Sequence, residues 1–413
     1  TTVKDSVHDH IEVTGVAAAL LDTPPVQRLR RIKQLGTVPL VYPSANHTRF
    51  EHSLGVYHLA NRALDLLDVH GRRAEAVRAA AILHDVGHGP FSHNVEDLLY
   101  RRTGKYHDDV DDLISAKPVA RALDAHEIEV QRVINLIEGE GLLGQLIAGE
   151  LDVDRMDYLQ RDAHHTGVPY GTIDYERLLR GLRFADEDLV LGAGNVQSAE
   201  SLLVARALMN PTVYNHHVAR ISKSILRRAT AALIDGTAVT AATVRRMDDP
   251  ELRVALRAHD PSARLGDRLA RRDLFKRAVW AEMGDVGDPF EDDLFDAPPE
   301  TIREYESAIA QRAGTDPESV IVDVQDPPTV AESTSKVVVN GEVRRLDEQS
   351  TLVRAIQMTQ REQWRLGVYA PEHETSAVGR AAEAVLGLET DGALIAENDS
   401  PGRYATLEDF EQD

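Results

Sequence analysis

Apolar residues return every three or four positions through most of the first 235 residues. Segments such as VAAALLDTPPVQRLRRIKQL, GVYHLANRALDLLDVH and EAVRAAAILHDV have this spacing, which places their apolar side chains on one face of an α-helix. Proline and glycine separate the periodic segments, as at Pro24, Pro25 and Gly87, where they interrupt helices. The pattern predicts an all-helical domain over residues 1–235.

The pattern changes after residue 235. Short charged helices and the acidic stretch GDPFEDDLFDAPPE predict a connector over 236–315, because the apolar content is too low for a core. Beyond it, SVIVDVQ, KVVVNGEVRRL and WRLGVYAP are short β-branched runs, and SAVGRAAEAVLGL is amphipathic. They predict a small α/β domain over 316–392, followed by an acidic tail over 393–413. The expected fold class is mainly α, with a smaller C-terminal α/β domain.

Acidic residues outnumber basic ones, 68 against 46, and the formal net charge is −22. Such a surface repels a phosphate backbone, so we do not expect nucleic acid as a partner. Only seven of the basic residues are lysine, and this composition resembles that of proteins from halophilic archaea. An acidic proteome encoded by GC-rich DNA is the alternative explanation.

The sequence contains no cysteine. Disulfides and thiolate metal sites are therefore excluded, and any metal must be held by histidine and carboxylate side chains. The first residues lack a basic start followed by an apolar run, and no segment approaches eighteen uninterrupted apolar residues. We expect a soluble, cytoplasmic protein with no membrane partner.

Four residues form a candidate metal site. In AAAILHDVGHGPFSH, His84 and Asp85 end an alanine-rich helix, and their side chains diverge by about 100°. One ion beside that helix would need ligands from other segments, and His52 in RFEHSLGVYHLA and Asp154 in GELDVDRMDYLQRDAHH are the candidates. This set suits one divalent transition ion, Mn, Fe, Ni or Zn, with Mg as a second ion that would arrive with the substrate.

Each of these residues also has an ordinary explanation. Adjacent histidine and aspartate are common, a lone histidine on a helix is more often a hydrogen-bonded structural residue, and RMDYLQRDAHH alone would be a solvated helix face. His93 and Glu96 are three apart, so they share a helical face and form a candidate acid or base dyad, although an exposed face is the alternative. The occurrence of all these residues together favours the functional interpretation.

The motif HDVGHGPFSH resembles the HD-domain phosphohydrolases, above all the branch of the dNTP triphosphohydrolases. DTPPVQRLRRIKQLG, RFEHSLGV and LDVDRMDYLQRDAHHTGV resemble the same family in the same order, and VIVDV and GVYAP extend the likeness over most of the chain. The resemblance implies a metal held by His52, His84, Asp85 and Asp154. It also implies hydrolysis of dNTPs to deoxynucleoside and tripolyphosphate, by water attack at the α-phosphorus, in a homodimer or homotetramer.

The resemblance further implies roles for other residues. The residues that would line the scissile phosphate are His93, Glu96 and His107. Those that would bind the substrate are Gln34, Arg49, His88, Arg155, Tyr158, Asp162, Arg206, Tyr214 and His217. An activating nucleotide would contact Lys4, Asp22, Gln27 and Arg30, in a segment that would equally pack at a subunit interface.

Departures from the family pattern affect specificity more than chemistry. Arg155 and His217 stand where the human member of the family has lysine, and SVHDH stands where relatives have IHG. Two alternatives therefore stay open. One is an HD enzyme for another phosphoester, such as a monophosphate or cyclic nucleotide, because the same metal residues serve many substrates. The other is a nucleotide-binding regulatory protein that oligomerises through its C-terminal domain; the complete set of site residues favours an enzyme.

Overall fold

A computed structural model of the chain describes residues 1–185, 187–286, 294, 297–325 and 335–388, with side chains omitted at 360–362. The predicted acidic tail, 393–413, and most of the stretch GDPFEDDLFDAPPE lie outside the described residues. Among the helices that are described, none combines the length and the apolar character that crossing a bilayer requires. The chain divides into two compact units, which are taken in turn.

The first unit comprises Thr1–Arg272 and the described part of Val330–Met358. Its helices up to residue 181 are α1 (Gly15–Leu21), α2 (Pro24–Arg28), α3 (Arg49–Leu66), α4 (Gly71–Leu83), α5 (Glu96–Thr103), α6 (Asp111–Ile114), α7 (Lys117–Asp124), α8 (Val130–Ile137), α9 (Gly141–Ile147), α10 (Val153–Thr166) and α11 (Tyr175–Gly181). The helices after residue 195 are α12 (Val196–Met209), α13 (His217–Gly236), α14 (Ala241–Arg246), α15 (Asp249–Ala258) and α16 (Asp260–Arg271). Later in the chain come α18 (Leu346–Gln349) and α19 (Thr351–Glu362), and the last four residues of α19 belong to the second unit.

Helix α4 is the centre of this unit. Its alanine-rich sequence buries every residue from Ala79 to Leu83, and it packs against α1, α3 and α8. Small side chains let neighbouring helices approach closely, and the larger apolar residues of those helices fill the space around α4. The C-terminal end of α4 is thereby held beside α3, which in turn packs on α10.

Six strands belong to the first unit. A hairpin at the N-terminus pairs β1 (Thr2–Asp5) with β2 (Asp9–Glu12), and Asp9 takes the left-handed conformation at its turn, with φ 62°. A second sheet has the order β3 (Leu182–Ala185), β4 (Asp188–Leu191), β7 (Lys336–Val339) and β8 (Glu342–Arg345), where only the β4–β7 pairing is parallel.

The second unit comprises Asp273–Thr329 and Thr359–Asp413, in their described parts. Its antiparallel sheet has β9 (Arg365–Ala370) between β5 (Lys276–Glu282) and β6 (Ile321–Val324). Helix α17 (Pro299–Ala313) packs against α20 (Thr375–Leu386), which also contacts β5 and β9. Buried apolar residues, among them Trp364, form a core separate from that of the first unit.

The structure confirms the predicted fold class, because a mainly helical unit is joined to a smaller α/β unit. The prediction that 1–235 is all-helical is wrong, because β1 to β4 lie within that range. It divides the chain differently from the predicted boundaries at 235, 315 and 392. Helices α14 to α16 of the expected connector pack in the first unit, whereas β5 is a strand of the second. The hairpin β7–β8 belongs to the first unit, because β7 pairs with β4. Strand pairing between distant segments leaves no local sequence pattern from which it could be predicted.

The capping box at the start of helix α15 allows a test of what stabilises the first unit. The carboxylate of Asp248 accepts the Glu251 backbone N–H at 3.0 Å and pairs with Arg31. We expect Asp248→Ala to lower the free energy of unfolding by about 1 to 2 kcal/mol, the usual effect of a lost cap, in a denaturant titration. The control is Asp267→Ala, at an exposed pair with Arg257, with an effect within about 0.5 kcal/mol. Equal losses of unfolding free energy in the two variants would contradict the role of Asp248 as the cap of α15.

Candidate metal centre

Three helices bring the four predicted metal ligands together. His52 lies in the first turn of α3, whose start is stabilised by Glu51 accepting the Thr48 backbone N–H at 2.6 Å. His84 caps the C-terminus of α4, and Asp85 follows it. Asp154 lies in the first turn of α10. Because α3 packs against both α4 and α10, the two helix starts and one helix end meet at one place.

The donor atoms of these residues face one another. His52 Nε2 is 2.7 Å from Asp154 Oδ1 and 3.4 Å from His84 Nε2. His84 Nε2 is 3.5 Å from Asp85 Oδ1 and 3.7 Å from Asp154 Oδ1. His52, His84 and Asp85 form a compact cluster of donors suited to a metal ion, and Asp154 joins it through both histidines. Such separations match those between neighbouring ligands of one ion at about 2.1 Å from each.

The outer nitrogens of the two rings decide which atoms face the centre. His52 Nδ1 lies 2.7 Å from Asp157 Oδ2, and His84 Nδ1 lies 2.9 Å from the Ala81 carbonyl oxygen. Both partners only accept hydrogen bonds, so both Nδ1 atoms carry protons. In neutral rings the Nε2 lone pairs then point at each other and at two carboxylates, an arrangement that needs a cation. The residues therefore fit a divalent transition metal.

The electrostatics of the cluster agree with this fit. Burial lowers the pKa of His52, but hydrogen bonds to Asp154 and Asp157 outweigh it and raise the pKa to about 10. Burial raises the pKa of Asp154, yet contacts with both histidines hold it well below its usual range. The centre thus favours positive charge, which a second proton on the His52 ring supplies without a metal and which a metal ion supplies when it displaces that proton.

A second cluster adjoins the first and contains the predicted catalytic residues. Glu96 Oε2 accepts from His93 Nδ1 at 2.6 Å, and Oε1 accepts from His107 Nδ1 at 2.5 Å. The His107 ring stacks on His88 with centroids 4.1 Å apart. His88 Nε2 is 3.3 Å from Asp85 Oδ1, so this ring connects the two clusters.

A strained turn presents this second cluster. Phe91 and Ser92 both have positive φ, 58° and 54°, which residues with side chains rarely adopt. The turn is held by Asp249, whose carboxylate accepts the Phe91 N–H at 2.6 Å and the Lys33 N–H at 3.0 Å. Arg49 Nε also donates to Ser92 Oγ at 2.9 Å. Strain of this kind persists where the surroundings enforce it, and here it precedes His93 directly.

Several predicted substrate residues come together on and beside α10. Asp162 Oδ2 accepts from the Tyr214 hydroxyl at 2.9 Å, and its Oδ1 lies 2.8 Å from His47 Nε2. The Tyr158 and Tyr214 rings meet edge to face at 6.3 Å. Gln34 is buried, and its Oε1 has no hydrogen-bond partner among the described residues.

The predicted phosphate-binding arginines and His217 differ in their surroundings. Arg49 is buried, and its Nη1 lies 3.0 Å from both oxygens of Asp85, so it already pairs with a predicted metal ligand. Burial raises the pKa of Tyr158 to about 12, and the positive charges of Arg206 and Arg155 oppose that rise. His217 begins α13 and stacks on the neighbouring His216.

The predicted activator residues lie in four places: β1, the end of α1, α2 and the short 3-10 turn that follows α2. Gln27 and Arg30 contact each other through a 2.9 Å hydrogen bond, and the Arg30 guanidinium lies 3.6 Å from the centre of the Phe50 ring. Asp22 is an exposed residue at the end of α1. Lys4 lies on the N-terminal hairpin, where it pairs with Asp9.

Sequence reasoning missed the residues that support the site from behind. Asp157 contacts His52, and Arg28 donates through Nη2 to the His88 carbonyl oxygen at 2.7 Å. A signal for Asp157 existed, because it lies three residues after Asp154 on the same helix. No comparable local signal marks Arg28, since its carbonyl partners include the distant Arg245.

Comparisons with known proteins agree with this arrangement. Residues 49–162, which contain all four proposed ligands, match the HD domain, and residues 173–397 match the HD associated region. An uncharacterized protein of Methanocaldococcus jannaschii is 32% identical over 90% of this chain and 79% of its own length. The chain belongs to the HD-domain phosphohydrolase family.

One further relative and one solved structure are similar to this HD-domain phosphohydrolase. The deoxynucleoside triphosphate triphosphohydrolase SAMHD1 homolog of Dictyostelium discoideum is 31% identical, over 53% of this chain and 46% of that protein. The chain therefore spans about half the length of that relative. The crystal structure of a phosphohydrolase from Bacteroides thetaiotaomicron superposes with a TM-score of 0.70 at 27% identity, over 90% of this chain and 100% of that one.

HD domains are metal-dependent, and removal of the ion tests the site directly. We expect chelator-treated protein to unfold at lower temperature than the same protein with Mn²⁺, because an ion at about 100 times its Kd stabilises the fold by about 2.7 kcal/mol. His84→Ala removes one ligand and should abolish this shift. His70→Ala, at an exposed pair with Asp68, should keep it. An unchanged shift in His84→Ala would place the ion elsewhere.

Proposed function

We propose that this phosphohydrolase converts dNTPs to deoxynucleoside and tripolyphosphate by water attack at the α-phosphorus. The observation that carries the proposal is the continuity of its two clusters. His88 Nε2 lies 3.3 Å from Oδ1 of the metal-ligand candidate Asp85, and the His88 ring stacks on His107 of the second cluster. A phosphate placed between the clusters would contact both. The likeness to the Dictyostelium triphosphohydrolase supports the substrate class.

The reaction needs charge neutralisation and a proton. A bound divalent metal neutralises phosphoryl oxygens and lowers the pKa of a bound water. The water oxygen forms a bond to the α-phosphorus while the bond from phosphorus to the 5′ oxygen breaks, and that oxygen must receive a proton. Glu96 engages the Nδ1 atoms of His93 and His107. Each ring can therefore exchange a proton through Nε2.

His107 is the better general acid of the pair. Partial burial lowers its pKa, but the hydrogen bond and the negative charge of Glu96 outweigh this and leave the pKa raised. Burial raises the pKa of Glu96, whereas its contacts with His107 and His93 hold it far below its usual range. The glutamate therefore stays ionised at neutral pH, and its charge favours the protonated form of His107, which can donate a proton.

The substrate beyond the α-phosphate would lie along α10. Tyr158, Asp162 and Tyr214 form a polar and aromatic wall that suits a deoxyribose, and the unpartnered Oε1 of buried Gln34 suits a donor on the ligand. The cations proposed for the phosphates are Arg49, Arg155 and Arg206, and His217 is a further proposed substrate contact. They would provide a local positive field on a chain of net charge −22.

One observation favours a second candidate, a phosphoester with fewer charges. Arg49 Nη1 and Nε are engaged by Asp85 and Ser92, which leaves fewer arginine donors for a triphosphate. A monophosphate or cyclic nucleotide would need less cationic compensation.

The triphosphohydrolase proposal also covers the state of the protein. We propose a cytoplasmic homo-oligomer that is adapted to salt and binds an activating nucleotide at Lys4, Asp22, Gln27 and Arg30.

Product analysis separates the candidates. We expect the protein with Mn²⁺ in high salt to release deoxynucleoside and tripolyphosphate from dNTPs, resolved by HPLC. Asp85→Ala should lower kcat roughly a thousandfold, because metal contacts stabilise the transition state by several kcal/mol. Asp68→Ala, at an exposed aspartate, is the matched control. Phosphate from other esters alone would favour the second candidate, and no product from any ester, with the metal bound, would favour a protein that requires an activator or only binds nucleotides.

The pH profile tests the proton donor. If His107 must be protonated, activity falls as pH rises through its pKa, which Glu96 raises. Glu96→Gln removes the negative charge, so the alkaline limb of the kcat profile should move to lower pH. Asp97→Asn, on the same helix and in a surface pair with Arg227, should leave the limb in place. An unmoved limb in Glu96→Gln would assign the proton to another group.

A further inference from the structure

A buried network lies behind His52, on the side away from the metal centre. At its middle, Asp157 has no exposed surface. Its Oδ2 accepts from His52 Nδ1 at 2.7 Å, and its Oδ1 accepts from His8 Nε2 at 2.6 Å. Arg161 donates to the same carboxylate through Nε at 2.9 Å and Nη2 at 3.0 Å. Both oxygens of Asp157 are therefore held from two sides.

The network continues into the N-terminal hairpin. Arg161, also fully buried, donates through Nη1 to Asp5 Oδ2 at 2.9 Å. Asp5 Oδ1 accepts the backbone N–H groups of Val7 and His8 at 2.9 and 2.8 Å, which fixes the turn that carries the His8 ring. The hairpin thus supplies two side chains to a chain of contacts that ends on a proposed metal ligand.

Helix α3 is built to admit this network. Gly55 lies three residues after His52, on the same face. A Cβ at Gly55 would lie 1.8 Å from Asp157 Oδ1 and 2.5 Å from Arg161 Nη2, closer than atoms can approach. Glycine is unfavourable inside a helix, so the close approach of the carboxylate explains its presence here.

We propose that His8 and Asp157 are positioning residues for the metal centre and that docking of the N-terminal hairpin is coupled to metal binding. The hydrogen bond to Asp157 keeps the proton of His52 on Nδ1 and aims its Nε2 lone pair at the centre. His8 and Arg161 keep the Asp157 carboxylate from turning away. Since His52 and Asp157 are fully buried, bulk water does not compete for their hydrogen bond in the intact protein. This coupling depends on the metal centre and is independent of the substrate.

The coupling is measured as metal affinity, without any activity assay. Mn²⁺ is titrated into metal-free full-length protein in a calorimeter. His8→Ala should weaken binding roughly 10- to 100-fold, the usual effect of losing a partner behind a metal ligand. His8→Gln, whose Nε2 can donate in place of the ring nitrogen, should restore most of the affinity. His10→Ala is the matched control, because His10 lies in the same hairpin with its side chain 61% exposed.

A second variant reaches the same carboxylate from the other side. Gly55→Ala should weaken Mn²⁺ binding as His8→Ala does, because the added methyl group would displace Asp157. Circular dichroism and thermal unfolding of the metal-free variants identify any that fail to fold. A folded His8→Ala or Gly55→Ala protein with affinity within about twofold of the unaltered chain would overturn the positioning role.

Hydrogen exchange on the unaltered protein tests the coupling even if both variants fail to fold. Mn²⁺ should slow amide exchange in residues 2–12, with β5 of the second unit as an internal reference. Unchanged exchange in the hairpin, under conditions where calorimetry shows the ion bound, would overturn the coupling. Loss of the proposed dNTP activity would leave this result unaffected, so the two proposals fail separately.

Discussion

The structure depends on one constraint: two imidazole lone pairs and two carboxylates must be held together in a mostly buried place. Hydrogen bonds on the outer nitrogens of His52 and His84 determine that both Nε2 atoms face inward. Like partial charges at such distances repel, so the arrangement needs a cation and a rigid scaffold. The alanine-rich α4 provides that scaffold, because its small side chains let α1, α3 and α8 pack closely around it.

The second cluster, which contains His88, His93, Glu96 and His107, is held in place by the turn before it. Phe91 and Ser92 are held in left-handed conformations by Asp249, at the first position of α15. Arg49 links this turn to the metal centre, since it contacts both Ser92 and Asp85. Residues from α15, far along the chain, thereby influence where His93 stands. Both clusters are held by contacts between separate elements, since His52 of α3 contacts Asp154 of α10 and Glu96 of α5 contacts His107.

Local pattern was enough to predict much of this protein. The three- and four-residue periodicity predicted the helices of the first half and the mainly α fold class, and His84 and Asp85 stand at a helix end, where glycine interrupts the pattern. It was not enough for the unit boundaries, because β7 joins the first unit by pairing with β4, a contact between distant segments. It also missed His8, whose partner Asp157 is remote in sequence and near only after folding.

The aspartates before and within α10 show which features the sequence determined and which depended on tertiary structure. Composition and order determined that Asp152, Asp154 and Asp157 lie on or beside one helix. Packing decided their different contacts: Asp152 caps the helix, Asp154 faces His52 at the candidate metal centre, and Asp157 contacts the other nitrogen of His52. The physical reason is that successive helical side chains point about 100° apart, so each carboxylate meets a different neighbour, and only the packed helices determine which neighbour that is.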